Sequence, residues 1–291
     1  MGRTLSTTHL GLLLYRDHIY YLLTRNFPLA LETLSLFCYL CAIIQIFVRY
    51  FIELQYDGAA YCGWQRQPDA ITVQGVIEEK LSMLLRVPTE IVGAGRTDTG
   101  VNASYYVAHF DSETSIDTQQ LCYKLNKVLP ADIAIISIRE VSETLHARFD
   151  AKLREYTYFL TPHKSPFRRF SAWYFTADID VEKMNEAAAK LLEYDDFTSF
   201  AKLNSNNKTN ICYISHAHWT IEEDGTLRFT IRADRFLRNM VRAIVGTLVD
   251  VGRGRYSVAE FEDIIQSRDL SRCSAGAPAC GLFLSDVKYD V

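Results

Sequence analysis

Hydrophobic side chains from residue 49 onward recur at two spacings that predict strands and helices in turn. Alternation at every second position, typical of a half-buried strand, runs over residues 50–55 and 105–110. Spacings of three and four, typical of an amphipathic helix, run over residues 72–85 and 117–129. Two shorter strands are expected at residues 90–92 and 133–139. The resulting order, β-α-β-β-α-β, is the split arrangement of a ferredoxin-like unit.

The second half of the chain repeats this plan. Its expected strands are residues 155–160, 173–175, 214–221, 227–233 and 282–289, and its expected helices are residues 181–194, 236–251 and 258–267. The polar stretch 204–210 is expected to be a loop. The sequence therefore predicts an α+β fold in which two similar ferredoxin-like halves, 49–150 and 151–291, form a continuous, mostly antiparallel sheet with a central cleft.

Residues 1–48 do not share this pattern, and we expect them to lie outside the fold. The run 33–48 is almost wholly apolar, but it is shorter than the ~20 residues of a membrane-spanning helix. It also lies too far from the start for a secretory signal and lacks a small-residue cleavage site. A short membrane anchor, an amphipathic appendage and upstream sequence translated in error remain open, and we favour the last. A chain that begins at Val48 is then expected to be soluble and fully active.

Composition narrows the function only slightly. With 291 residues, of which 48% are hydrophobic, the chain can bury a core of one or two domains. Its net charge of −4 does not indicate a nucleic-acid-binding protein, although a local basic surface is enough to bind phosphates. Seven cysteines argue against a secreted disulfide framework. The lone pair Cys38 and Cys41, and His216 with His218 on one strand face, lack the further ligands of a metal site.

The strongest candidate for chemistry is the glycine-rich stretch 93–103 (GAGRTDTGVNA), which contains Asp98. Glycine permits a tight loop that presents a carboxylate clear of its neighbours. Composition alone is equally compatible with an ordinary turn in which Asp98 caps its own backbone. Asp98 also begins the tripeptide D-T-G of aspartic proteases, in which two carboxylates share a proton. We disfavour that hypothesis because Arg96 and Thr97 precede Asp98 and because no second D-T-G or D-S-G is present.

Short motifs on both sides of this loop form a larger pattern. In chain order they are YDG at 56–58, YCGWQRQ at 61–67, VQ at 73–74, GRTD at 95–98, HARF at 146–149, REYTY at 154–158, DFTSF at 196–200 and FLRNMVR at 236–242. With these motifs in this order, the chain resembles the tRNA pseudouridine synthase A family. The resemblance extends from about residue 49 to the C-terminus. Each motif is weak evidence alone, whereas the ordered set is specific.

The resemblance implies an isomerase that converts uridine to pseudouridine at positions 38 to 40 of the tRNA anticodon arm. Asp98 matches the essential aspartate, which acts on the ribose or the base so that the C1′–N1 bond breaks. Tyr156 matches the tyrosine that stacks on the target base, and Arg242 the arginine that pairs with the aspartate. Arg96 matches the arginine that holds the nucleotide out of its stack. The resemblance also implies a cytoplasmic homodimer that binds tRNA in the cleft without a cofactor, with membrane contact only if the extension is real.

These roles are chemically reasonable. A guanidinium stabilises a nearby carboxylate, and a paired base must be extruded before an enzyme can reach it. An aromatic ring then replaces part of the lost stacking. The reaction is redox-neutral, so it requires no cofactor. The second hypothesis is a catalytically silent RNA-binding protein on the same fold, which tritium release from C5-labelled uridine would distinguish from the enzyme.

Basic residues cluster in two places. Seven arginines lie between residues 228 and 255, and on the helix expected at 236–251 one sector would hold Arg235, Arg238, Asn239 and Arg242. This sector is either an RNA-binding surface or a solvated helix face. The second cluster, either a phosphate-binding surface or scattered charge, consists of Lys152, Arg154, Lys164, Arg168 and Arg169.

Some positions depart from the family or have an open assignment. The family usually has alanine where this chain has Thr99 and histidine where it has Asn102. It also often has an arginine after a Lys-Thr pair, whereas in this chain the pair at 208–209 is followed by Asn210, Ile211 and Cys212. We expect the first two departures to tune the loop and the last to affect substrate range. Tyr61 and Tyr158 are expected to be core residues, whereas Trp64 is either core or RNA-stacking.

Overall fold

The computed structural model describes residues 47–202 and 209–290. The apolar run up to residue 46, the pair Cys38 and Cys41, and most of the polar stretch 204–210 therefore lie outside the described residues. The first strand begins at Val48, which is the last residue that the sequence pattern assigned to the extension.

A single open sheet forms the centre of the described part of the chain. Its nine strands are β1 (Val48–Tyr56), β2 (Val92–Gly93), β3 (Asn102–Ser112), β4 (Ile133–Val141), β5 (Leu153–Thr161), β6 (Trp173–Tyr174), β7 (Ile214–Ile221), β8 (Leu227–Ala233) and β9 (Leu282–Lys288). The strand order is β4-β1-β3-β9-β5-β8-β7, with β2 paired to β3 and β6 to β5. The β3–β9 and β5–β6 pairs are parallel and the other pairs are antiparallel. The predicted large, mostly antiparallel sheet is confirmed.

Five α-helices accompany this sheet in residues 47–202 and 209–290. They are α1 (Val73–Leu85), α2 (Thr118–Val128), α3 (Val181–Lys190), α4 (Met240–Gly252) and α5 (Val258–Ser267). Polar caps fix where most of them begin: the side chains of Thr72, Asp117 and Asp180 accept main-chain hydrogen bonds, and Ser257 forms a capping box with Glu260. Each such cap stabilises a helix by about 1 kcal/mol.

Apolar side chains pack into two clusters, one in each half of the sheet. The N-terminal cluster contains Leu284 of β9, while the C-terminal cluster contains Leu282 of the same strand. Tyr156 on β5 packs against both clusters. The two halves therefore meet along the central strands, and the candidate site lies at this junction.

The predicted helix at 236–251 is wrong in its first turn. Helix α4 begins only at Met240, after Asn239 in a left-handed conformation with φ of 64°. Before it, the Asp234 carboxylate accepts hydrogen bonds from the main-chain N–H groups of Tyr213 and Arg235 and so holds the chain in a turn. Residues 234–239, which we call the linker segment, are therefore not helical, and no helix face there joins Arg235 to Arg242.

Two further boundaries differ from the sequence pattern. The strand expected at residues 90–92 pairs only at Val92–Gly93, because it is an edge segment that turns directly into the glycine-rich loop. The helix expected at 181–194 ends at Lys190 and continues as a short 3₁₀ turn, Leu191–Glu193.

Candidate active site

Asp98 lies in the loop between β2 and β3, and buried aromatic hydroxyl groups anchor this loop. The hydroxyls of Tyr56 and Thr97 share a hydrogen bond of 2.9 Å directly before Asp98 in the chain. Tyr106 donates to the carbonyl of Gly95. Since both tyrosines are buried in the N-terminal cluster, the position of the loop is fixed by the core of that half.

The loop also lies directly against the backbone of residues 58–64. A Cβ at Gly58 would lie 2.1 Å from the Val101 carbonyl oxygen, and one at Gly63 would lie 2.3 Å from that of Thr97. Gly63 has a φ of +83°, which side chains disfavour. The two motif glycines therefore allow the backbones to touch behind Asp98.

Tyr61 and Trp64 belong to the core beneath this loop. They are 4% and 2% exposed, and the Trp64 ring stacks on Tyr106 with centroids 4.0 Å apart. The Tyr61 hydroxyl donates to the Asp132 carboxylate at 2.6 Å. The core assignment of Tyr61 is confirmed, and the open question about Trp64 is decided in favour of the core.

The guanidinium of Arg238 faces the Asp98 carboxylate across the junction of the halves. Its Nε lies 3.5 Å from Asp98 Oδ1, with the Asp98 side chain 26% exposed and that of Arg238 59% exposed. Arg238 reaches this position from the linker segment, which is irregular rather than helical. The carboxylate is thus held by a positive charge but stays open to solvent on one side.

Arg242, which the resemblance pairs with the aspartate, makes a different contact. Its Nε donates to the Ala277 carbonyl at 2.6 Å, and the Ala277 N–H donates back to the Arg242 carbonyl at 2.9 Å. The segment that contains Ala277 packs closely on α4, because a Cβ at Gly246 would lie 2.2 Å from the Ala275 carbonyl oxygen. Of the two arginines, the one brought to Asp98 is therefore Arg238.

Tyr156 on β5 faces the same junction. Its ring meets Phe236 edge-on, with centroids 5.1 Å apart and an interplanar angle of 89°. Burial raises the pKa of the Tyr156 phenol to about 12; the Arg154 charge opposes this shift and the Asp98 charge adds to it. The phenol is therefore neutral at ordinary pH, and it lies close enough to Asp98 to respond to its charge.

Arg96 lies on the outer side of the loop. It is exposed, and its Nε donates to the Gln65 side-chain oxygen at 2.6 Å. This contact ties the loop to the YCGWQRQ motif and leaves the guanidinium at the surface.

The second basic cluster does not form one free surface. Arg168 pairs with Asp224 at 2.8 Å, and Lys152 lies 3.7 Å from Asp290. Arg154 is half-buried, and its terminal nitrogens bind main-chain carbonyls. Of the two hypotheses left open for this cluster, phosphate binding has no terminal nitrogen of Arg154 to support it, because these nitrogens are taken up by carbonyls.

The positions that depart from the family fall in different environments. Thr99 is exposed at the loop surface. Asn102 is 1% exposed; its side-chain oxygen accepts from the Gly58 N–H at 2.8 Å, and its amide nitrogen donates to the carbonyls of Phe170 and Cys280 at 3.1 and 2.9 Å. Cys212 is buried in the C-terminal cluster, and this burial raises the pKa of its thiol to about 12.

Sequence patterns placed Arg238 on a helix face and Asn102 among the departures from the family, but they did not show that these residues or Phe236 lie around Asp98. Arg238 and Phe236 lie within the FLRNMVR motif, which marks them as candidate site residues. Their position near Asp98 was not predicted, because the spacing of apolar residues indicated a helix from residue 236. Asn102 carried a signal too, since it is one of the positions at which this chain departs from the family.

In ranges 47–202 and 209–290, no group of three or more His, Cys, Asp or Glu side chains could hold a metal ion. No helix in these two ranges is long and apolar enough to cross a bilayer.

Comparison with known proteins identifies the family of this chain. A family model described as tRNA pseudouridine synthase matches residues 54–150 and 187–290. The tRNA pseudouridine synthase A of Bacteroides thetaiotaomicron is 53% identical over 243 residues, covering 83% of this chain and 90% of that protein. The enzyme of the same name from Bacteroides fragilis is 51% identical over 242 residues, covering 83% and 96%. That from Thermoanaerobacter pseudethanolicus is 37% identical over 240 residues, covering 82% and 98%.

Proposed function

The chain belongs to the tRNA pseudouridine synthase family, whose members isomerise uridine in tRNA, and from this premise we propose that Asp98 is the catalytic carboxylate. One observation carries the proposal: Asp98 is a partly exposed carboxylate at the junction of the halves, 3.5 Å from the Arg238 guanidinium and within electrostatic reach of Tyr156. The loop around it is anchored by buried hydroxyls, so little reorganisation is needed when a nucleotide arrives.

The reaction requires the glycosidic bond to break, the uracil to turn and a C1′–C5 bond to form. Asp98 acts on the ribose or the base of an extruded uridine so that C1′ and N1 separate. The Tyr156 ring, held edge-on by Phe236, provides a surface on which the detached base stacks. The C5 proton is then lost and N1 gains one, so the product is an isomer of the substrate.

We assign the arginines complementary roles. Arg238 balances the Asp98 charge while the site is empty, and Arg242 stabilises the same carboxylate once bound RNA draws the exposed Arg238 towards a phosphate. Arg96, exposed beside Asp98, holds the target nucleotide out of its stack.

We propose that the substrate is the anticodon arm of tRNA, at positions 38 to 40, and that a homodimer binds it with one tRNA contacting both subunits. Since the substrate is tRNA, the cytoplasm is the proposed location. The reaction needs no cofactor.

We further propose that the two halves are copies of one ferredoxin-like unit. The strand order β4-β1-β3-β2 in the first half corresponds to β9-β5-β8-β7 in the second. Each order is the one that a β-α-β-β-α-β chain produces when its first and third strands pair in the middle.

The proposal is tested by Asp98→Asn, which keeps the shape of the side chain and removes its charge. We expect tritium release from C5-labelled uridine in tRNA to fall at least a thousandfold, while the Kd for tRNA stays within threefold. Asp69→Asn is the matched control, because Asp69 is exposed and its left-handed backbone, with φ of 56°, suits asparagine equally. Activity retained in Asp98→Asn would refute the proposal, and a wild type without tritium release would favour an RNA-binding protein.

A further inference from the structure

The guanidinium of Arg154 binds four main-chain carbonyl oxygens at the junction of the halves. One terminal nitrogen donates to Ala151 at 3.0 Å and to Asp234 at 2.8 Å. The other donates to Ala94 at 3.1 Å and to Arg148 at 2.7 Å. All four terminal N–H groups therefore have protein partners, and only the Nε–H is left.

The four carbonyls belong to the segments that build the site. Ala94 lies where β2 turns into the loop of Asp98, and Asp234 is the first residue of the linker segment that carries Phe236 and Arg238. The remaining two carbonyls belong to the turn 146–151, which contains the HARF motif. Arg154 itself precedes Tyr156 by two residues on β5, so the two side chains share one face of the sheet.

Only a guanidinium fits this arrangement. Its planar fork offers five donors in fixed directions, whereas an ammonium offers three donors from a single point. The carbonyl dipoles replace the hydration that the cation loses, although desolvation still lowers the pKa of Arg154. The group is thus satisfied within the protein, with no N–H pair left to grip a phosphate.

We propose that Arg154 is a positioning residue that sets the distance between the Asp98 loop and the linker segment, and thereby aligns Asp98, Arg238 and Tyr156 for the isomerisation. This inference rests on the proposed role of Asp98. Arg154 touches neither the uridine nor the reacting atoms. It acts because its rigid guanidinium binds the carbonyls of both Ala94 and Asp234, which belong to opposite halves of the molecule.

The test is Arg154→Lys, which keeps the charge but cannot reach four carbonyls. Below the melting temperature of the variant, we expect kcat for tritium release to fall at least thirtyfold while KM and the Kd for tRNA stay within threefold. Arg272→Lys is the matched control, because it makes the same exchange at an exposed arginine that donates to a main-chain carbonyl, that of Asp263, at 3.4 Å; its kcat is expected to remain unchanged.

Two outcomes for Arg154→Lys would overturn the proposal. A normal kcat with a lower melting temperature would indicate a purely structural role. A normal kcat with a weaker Kd and a reduced salt dependence of binding would indicate a phosphate contact. Either result leaves the Asp98 proposal intact, whereas an active Asp98→Asn enzyme would remove the premise instead.

A measurement on the wild type covers the case in which Arg154→Lys does not fold. In spectra of protein labelled with ¹⁵N-arginine, the Arg154 terminal N–H signals are expected to exchange slowly with water and to keep their positions when tRNA binds. Rapid exchange in the free protein, or a large shift of these signals on tRNA binding, would contradict the proposal.

Discussion

At the residue scale, the site depends on the weak ion pair between Asp98 and Arg238, which bound RNA can break. Asp98 and Arg238 are both reached by solvent, so their attraction contributes only ~0–1 kcal/mol to stability. A phosphate or a nucleotide can therefore displace Arg238 at little cost. Asn102, by contrast, is fully buried and hydrogen-bonded, so it contributes to the fold more than to binding.

Replacing Arg238 tests this view of the ion pair. We expect Arg238→Gln to lower kcat/KM for tritium release about tenfold, since losing the phosphate contact that Arg238 makes with bound RNA costs about 1.4 kcal/mol, which corresponds to that factor. Unfolding free energy is expected to change by less than about 0.5 kcal/mol, as for other exposed sites. Arg235→Gln, three residues earlier on the linker segment, is the control; an equal loss of kcat/KM in both variants would argue against a specific role for Arg238.

Replacing Asn102 tests the opposite case. Asn102→Ala leaves one N–H and two carbonyls without their partner, and we expect the free energy of unfolding in urea to fall by about 2–4 kcal/mol. Asn102→His is expected to recover only part of this, because neutral imidazole has one donor and one acceptor. Ser104→Ala, exposed on the same strand, provides the reference; equal stability of the Ala variants at 102 and 104 would contradict the prediction.

At the element scale, irregular segments rather than helices carry the site residues. The linker segment replaces a first helical turn, and the turn 146–151 packs on β3 through a histidine. The Ala147 N–H donates to Nδ1 of the buried His109 at 3.1 Å, which requires the neutral ring. Burial, with the nearby charge of Arg49, lowers the pKa of His109 to about 4.

This hydrogen bond makes stability depend on pH. Because the folded pKa of His109 is below the unfolded value of about 6.5, the folded state binds fewer protons in this range. The contribution of neutral His109 to the free energy of unfolding is complete above pH 6.5. It is lost as the pH falls towards 4, and the loss amounts to up to ~3 kcal/mol. Urea unfolding at pH 7 and pH 5 measures this loss. His109→Gln is expected to make the free energy of unfolding less dependent on pH between these values. His218→Gln, at an exposed position on β7, is the control and is expected to keep the wild-type dependence. A wild-type pH dependence in His109→Gln would show that another group causes it.

At the scale of the whole molecule, two halves with separate cores share one sheet. The parallel β3–β9 pairing is short, at Asn102 with Phe283 and Ala103 with Leu284. Arg154 and Asn102 add polar links across the same boundary. The geometry of the site therefore depends on how the halves meet, and substitutions at their boundary are expected to affect catalysis more than tRNA binding.

The proposed homodimer is a further prediction at this scale. Sedimentation analysis at micromolar concentration is expected to give twice the chain mass, and titration with tRNA is expected to saturate at one or two tRNA molecules per dimer. A monomer with full activity at that concentration would contradict the proposal.

The sequence by itself determined the elements, because the period of apolar residues records which face of a strand or helix is buried. It also singled out Asp98 and Tyr156, because their motifs occur in a fixed order. Local patterns cannot record partners that are distant along the chain. The pairing of Asp98 with Arg238, the four carbonyls on Arg154 and the three partners of Asn102 each include contacts between residues of different halves, so only the tertiary structure decided them. The non-helical linker segment follows the same rule, since the turn at Asp234 and its contact with Tyr213 outweigh the helical spacing of its side chains.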